Sequence, residues 1–154
     1  MEYGNYLALL SELCQLFDQI SHVEQQKIGA VQGHDLDELN EAMKREQALT
    51  LALRGCEQKR AALLSGLGLT GVSLRDMPSR CPPEYRAETS RMVEQVLKGY
   101  AALQAAQGSA RTLTELELRR VEGELARRGV EPDTEPHYQA SPAQPTSMKT
   151  DFRA

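Results

Sequence analysis

The sequence predicts an all-α protein, and three observations carry that prediction. Apolar residues recur at three- and four-residue spacing through most of the chain. No sustained alternation of β-branched or aromatic residues marks a strand. Glycine and proline punctuation divides the pattern into a few long segments. The expected architecture is an antiparallel hairpin of long helices with a third long helix packed along it. This three-helix, coiled-coil-like bundle over 1–129 is followed by a disordered Pro-rich tail over 130–154.

Residues 4–32 are expected to form the first helix. Its stripe is Tyr6, Leu10, Leu13, Phe17 and Ile20, flanked by Leu9, Leu16 and Val23. That face is wider than a two-stranded seam and has room for more than one neighbour. From Glu24 to Lys27 the sequence turns polar, which predicts a solvated end. Gly33 is expected to close the helix in the left-handed conformation. Asp35 then reads as an N-cap with Glu38 three residues later, as in a capping box. With Asp37, these acids fit the favourable end of a helix dipole and read as capping rather than as a metal or acid–base site. A link this short makes the first two helices antiparallel neighbours.

Asp35 to Leu67 reads as the helix around which the chain is organised. Leu39, Met43, Leu49, Leu53, Cys56, Leu63 and Leu67 form its stripe, with gaps at Glu46 and Arg60. Arg54 and Arg60 read as stems lying along the surface. The helix stops at Gly66, Gly68 and Gly71. A connection of about fifteen residues follows, longer than bundles usually use, and Pro78, Pro82 and Pro83 are expected to keep it non-helical. Its Leu67, Leu69, Val72 and Leu74 are placed to cap the open end of the core.

The third helix is expected from Pro83-Glu84 to about residue 128. Tyr85, Met92, Val93, Val96, Leu97, Tyr100 and Leu103 supply its first face, and Leu113, Leu116, Leu118, Val121 and Leu125 its second. A kink at Gly108 and a new capping box from Thr112 to Glu115 are alternatives to one continuous helix. At ~1.5 Å per residue the helix outreaches the hairpin. Its five distal aliphatics then lack intrachain cover and are the candidate partner-binding residues, with Arg119, Arg120, Arg127 and Arg128 beside them. Beyond Gly129, Pro132, Pro136, Pro142 and Pro145 with little apolar content read as a disordered tail in which Tyr138 and Phe152 stand out.

Composition excludes several function classes. A chain of 154 residues with net charge −4 fits one domain and offers no electrostatic attraction to nucleic acid or anionic membrane. Its three cysteines, Cys14, Cys56 and Cys81, are too scattered for a disulfide framework or zinc site and suit a reducing cytosol. The opening MEYGNYLALL does not read as a signal peptide, and no window is apolar enough to span a membrane. His22, His34 and His137 show no ligand spacing, and no phosphate-binding, dinucleotide-binding or nucleophile-elbow motif occurs. Cys81 beside Arg80 has no placed base for nucleophilic catalysis. No cofactor, metal or catalytic residue is expected.

Several stretches, in this order, carry a resemblance. QGHDLDELNEAMKREQAL is similar to the short Gly-containing link and second-helix start of the FlgN-type flagellar export chaperones. CEQKRAALLSGLGL resembles the family's next segment, TLTELELRRVEGELARRG its late helical segment, and the Tyr-bearing tail its tail. Ala140, Ser141 and Pro142 follow Tyr138 where family tails often carry Gly, and AAQGSART replaces an Asn-rich turn.

The resemblance implies a cytoplasmic, non-enzymatic chaperone of flagellar type III export. Such a protein binds the C-terminal helical segment of hook–filament junction proteins, prevents their premature assembly and delivers them to the cytoplasmic domain of the export gate. It implies Tyr138 as the gate contact and a monomer or weak dimer without stable membrane insertion. One alternative is a self-associating coiled-coil scaffold or another secretion adaptor. A small all-α enzyme of the chorismate mutase type is disfavoured, because no inward-facing Arg and Lys cluster appears.

Overall fold

The computed structural model describes residues 2–129, and within them the chain is helical, without strands. Its elements are α1 (Glu2–Gln32), α2 (Leu36–Gly66), a four-residue helix α3 (Met77–Arg80), a 3-10 turn (Pro83–Tyr85) and α4 (Arg86–Arg127). The tail expected over 130–154, with Tyr138 and Phe152, lies outside the described residues.

α1 and α2 are antiparallel: Tyr6 meets Arg60 near one end, and Lys27 meets Glu46 near the other. α4 runs parallel to α1. Tyr3 bonds Thr89, Phe17 meets Tyr100, and His34 in the link reaches Glu117. α1 packs extensively on both α2 and α4, whereas α2 and α4 barely meet. The helix at the centre is therefore α1, not the 35–67 segment. The reason is legible in α1's wide face: Leu7, Leu9, Leu10, Leu13, Leu16, Phe17 and Ile20 are all buried, enough for two neighbours.

The helix ends follow their capping chemistry, with one correction. Asp35 caps α2, its Oδ1 accepting from the Glu38 amide at 3.0 Å. The capping box is half made, because the Asp35 amide donates to the Ala30 carbonyl. That bond and the one from His34 N to Val31 O form a Schellman motif. Its left-handed residue is His34, at φ 54°, and not Gly33. The motif places the left-handed residue one step beyond the last capping position, and Gly33 occupies that earlier position. At the end of α2, Gly68 fills the left-handed position of the same motif.

The connection after α2 is not wholly non-helical. Pro78 sits in the first turn of α3, where a missing N–H costs no hydrogen bond. Leu74, Met77 and Cys81 are buried and close the core, with Leu67, Leu69 and Val72 packed against them. α4 then runs unbroken for 42 residues through Gly108.

The main core fills the end of the bundle where α1 begins. Tyr3, Tyr6, Phe17, Leu53, Leu64, Met92, Val96 and Leu103 belong to it. Tyr3 also stacks at 4.9 Å on Tyr85, which opens the way into α4. Toward the link, the buried apolar residues are smaller: Val23, Ala30, Val31, Ala42, Ala106 and Ala110.

Candidate functional site

The gaps in the α2 stripe, Arg60 and Glu46, mark two buried ionic clusters. Arg60 is not a surface stem: it is buried, its Nε lies 3.2 Å from Glu57 Oε1, and its guanidinium also bonds Tyr6. Burial alone would lower the Arg60 pKa, but the Glu57 carboxylate and Tyr6 outweigh it and hold the charge.

The second cluster corrects the expectation of a solvated α1 end. Glu24 is only 1 % exposed. Lys27 Nζ lies 3.4 Å from Glu24 Oε2 and 2.9 Å from Glu46 Oε2, so one ammonium serves two carboxylates. Burial is the main force on Glu24. With the neighbouring Glu46 carboxylate it pushes the Glu24 pKa up to about 8, against the pull of Lys27. Burial also opposes the Glu46 charge, but hydrogen bonds from Glu24 and Lys27 prevail and keep it ionised below its ordinary range. For Lys27, burial works against the ammonium, and Glu46 and Glu24 together override it. Near neutrality the arrangement is therefore a protonated Glu24, an ionised Glu46 and an ammonium between them. Glu24 Oε1 is buried without a hydrogen-bond partner.

This cluster lies in the wall of a cleft of about 420 Å³ between α2 and α4. α1 contributes Glu24 and Lys27, α2 contributes Leu39, Met43, Glu46 and Thr50, and α4 contributes the stretch from Gln107 to Leu118. The cleft exists because α2 and α4 flank α1 without closing on each other, and small Ala110 lines the α4 side. Its mouth is apolar. Of its lining residues, Met43 on α2 and Leu118 on α4 are 44 % and 56 % exposed, and exposed Leu36 and Val121 continue the same helix faces. At 3.6 residues per turn, Leu36, Leu39 and Met43 share one face of α2.

The five aliphatics expected to bind a partner do not form one stripe. Leu118, Val121 and Leu125 fall within an arc of about 60°, while Leu116 points about 160° away from Leu118. Leu118 lines the cleft, whereas Leu113 and Leu116 line a separate shallow groove with Ala105, Gly108, Ser109 and Thr112. Leu116 is exposed, and Leu113 and Leu125 are half-buried. The arginines nearby are engaged on the helix surface. Arg120 pairs with Glu117 at 2.7 Å, and Arg127 and Arg128 pair with Glu124 at 2.8 and 3.2 Å.

Nothing in the described residues resembles a catalytic or metal centre. No group of three or more His, Cys, Asp or Glu side chains among them could hold a metal ion. Cys81 is buried, with its Sγ 3.4 Å from the Pro78 carbonyl. Burial pushes the Cys56 thiol up to about 11, far from the range of an active nucleophile. No described helix is long and apolar enough to cross a membrane.

Long helices and an uncovered apolar cleft define the class among the described residues: an all-α helical bundle with an open face. The FlgN protein family model matches residues 1–128, and the chain belongs to that family of flagellar export chaperones. No curated protein and no solved structure matches it.

Proposed function

We propose that the protein is a cytoplasmic chaperone that holds the C-terminal helical segment of hook–filament junction proteins and delivers them to the export gate. The observation that carries this reading is the apolar mouth of the cleft. Leu118 on α4 lines the cleft with Leu39 and Met43 on α2, no described residue fills it, and exposed Val121 lies on the same face of α4 as Leu118. An amphipathic client helix seated there would complete a four-helix arrangement around the existing three. Burying each large aliphatic would contribute about 1.5–3 kcal/mol. Client-binding residues are Leu118, Val121 and Leu125, with Leu113 and Leu116 offering a second strip on the outer side of α4. While the segment is held it cannot assemble prematurely. Tyr138, outside the described residues, is the proposed export-gate contact. A monomer or weak dimer suits a surface that is vacated on delivery.

Titration calorimetry with the purified client C-terminal segment tests the groove. Leu118→Asp with Val121→Asp should lower affinity at least about 100-fold, the loss of two such contacts. Helix content should stay near wild type. Undiminished binding would move the client to another face. Tyr138→Ala should leave client affinity intact and reduce secretion, and normal secretion by that variant would remove Tyr138 from the mechanism.

A further inference from the structure

The cleft wall carries one polar feature that an apolar client stripe would not answer. Glu24 Oε1 is buried, unpartnered and belongs to a residue that lines the cleft. A buried acceptor without a donor is costly unless something supplies one. Lys27 and Glu46 act on Glu24 directly, and the cleft lining adds Arg111 and Glu115 from α4. Lys27 is already divided between Glu24 and Glu46. With Glu24 protonated the lining is balanced, Glu46 and Glu115 against Lys27 and Arg111, and ionising Glu24 would leave the cleft one positive charge short.

We propose that the occupant is an amphipathic client helix whose apolar stripe is interrupted by one lysine or arginine, and that this cation pairs with Glu24. The proposal rests on the reading that the cleft holds a client segment. It adds which segments fit, and in which register. The α4 wall from Gln107 to Leu118 spans about three helical turns, so the segment is about that long. Its cation must lie level with Glu24 while its aliphatics meet Met43 and Leu118. A purely apolar helix would leave Glu24 Oε1 without a donor, and an acidic one would add repulsion. Specificity comes from that mismatch, as it does wherever a buried polar group rejects the partner that fails to satisfy it.

A proton balance follows. Near neutrality Glu24 holds a proton in the free chain, and pairing with a cation releases it to solvent. The occupied cleft then holds Lys27 and the client's cation against ionised Glu24 and Glu46. Binding therefore tightens as pH rises toward about 8 and levels off above it. Below that point the expected slope is about tenfold in affinity per pH unit, one proton released per segment bound.

The test is titration calorimetry of the full chain with the C-terminal segment of a hook–filament junction protein. It is run from pH 6 to 9 in buffers of different ionisation enthalpy. The wild type should release about one proton, with an affinity that climbs to pH 8. Glu24→Gln keeps the shape, and its binding should weaken and lose the pH slope. His34→Gln, at the link and paired to Glu117 rather than to Glu24, should keep the slope. Replacing the segment's basic residue by glutamine should abolish the slope with the wild-type chain, a result independent of how Glu24→Gln folds. Tight binding with no proton release, or an unchanged slope in Glu24→Gln, overturns the proposal and leaves the cleft as the client site. If Leu118→Asp with Val121→Asp binds as well as wild type, the cleft reading itself falls, and this proposal with it. A concentration-dependent dimer that the same double variant disperses would make a second copy the occupant and also overturn it.

Discussion

α4 runs through both ends of this molecule and meets opposite conditions at each. In its first half, Met92, Val93, Val96 and Leu103 are buried against α1 beside Tyr6 and Phe17. In its second half, Leu116, Leu118 and Val121 are exposed. The residue types hardly differ; the partner does. α1 offers a broad face of Leu, Tyr and Phe as far as Ile20, then narrows to Val23, Glu24 and Ala30 and ends at Gln32. One helix can thus anchor the fold with one half and present a surface with the other, because burial depends on what lies opposite rather than on the sequence of the helix itself.

Substitutions of like chemistry at the two ends should have the most unequal effects. Leu53→Asp puts an unpaired charge in the closed core and should destabilise by more than about 4 kcal/mol, unfolding the hairpin. Leu118→Asp, at the open end, should change stability by no more than about 0.5 kcal/mol. Urea titrations followed by circular dichroism check both. Equal losses would mean that the open end is structural after all.

Next in size is the pH response of the open end. The folded-state pKa of Glu24, about 8, stands above its ordinary 4.5, so the native state holds a proton that the unfolded chain gives up. The resulting stability is fully present below pH 4.5 and is lost as pH rises through 8. Glu46, shifted the other way, contributes at neutral pH and loses its contribution in acid. Glu24→Gln imitates the protonated acid. It should remove the decline between pH 5 and 8 and leave the variant about 1–3 kcal/mol more stable at pH 8. Urea midpoints at several pH values decide this, and a parallel decline in both proteins would contradict it.

The smallest effect sharpens the contrast along α4. Gly108 is helical, and a Cβ there would meet open space. Gly108→Ala should therefore stabilise by up to about 1 kcal/mol while leaving client affinity unchanged. A loss of affinity would show that α4 bends at Gly108 when it binds.

Much of this fold was legible in the sequence, because its signals are local. The boundaries of the long helices follow from apolar spacing, from Asp35, and from the glycines and prolines after Leu64. What was not legible depends on neighbours distant in sequence. The polar run from Glu24 to Lys27 reads as solvated because nothing local reveals that Glu46 comes to meet it. Arg60 reads as a surface stem for the same reason, since Tyr6 lies far away in the chain. The gaps in the α2 stripe were the available signal: two charged residues at positions where apolar ones belong. The central role of α1 was present in the width of its apolar face, though α2 has the more explicit caps. Of the five distal aliphatics, Leu116, Leu118 and Val121 are exposed, whereas Leu113 and Leu125 are half-buried. Their division between two grooves needed the helix to be placed against its neighbours.

Those two charged interruptions also bear on how the hairpin finds its alignment. Leucine stripes on antiparallel helices are nearly self-similar from one turn to the next, so α2 could slide along α1 by about 5.4 Å and still match aliphatic to aliphatic. Such a slip would part Lys27 from Glu46 and Tyr6 from Arg60 at the same moment, stranding buried charges at both ends. A pair of pegs near opposite ends of a ladder admits one setting only. Replacing Glu24, Lys27 and Glu46 at one end and Glu57 and Arg60 at the other by aliphatics should then raise the melting temperature while allowing more than one alignment. Distances between spin labels on α1 and α2 would report this as a broadened or doubled distribution.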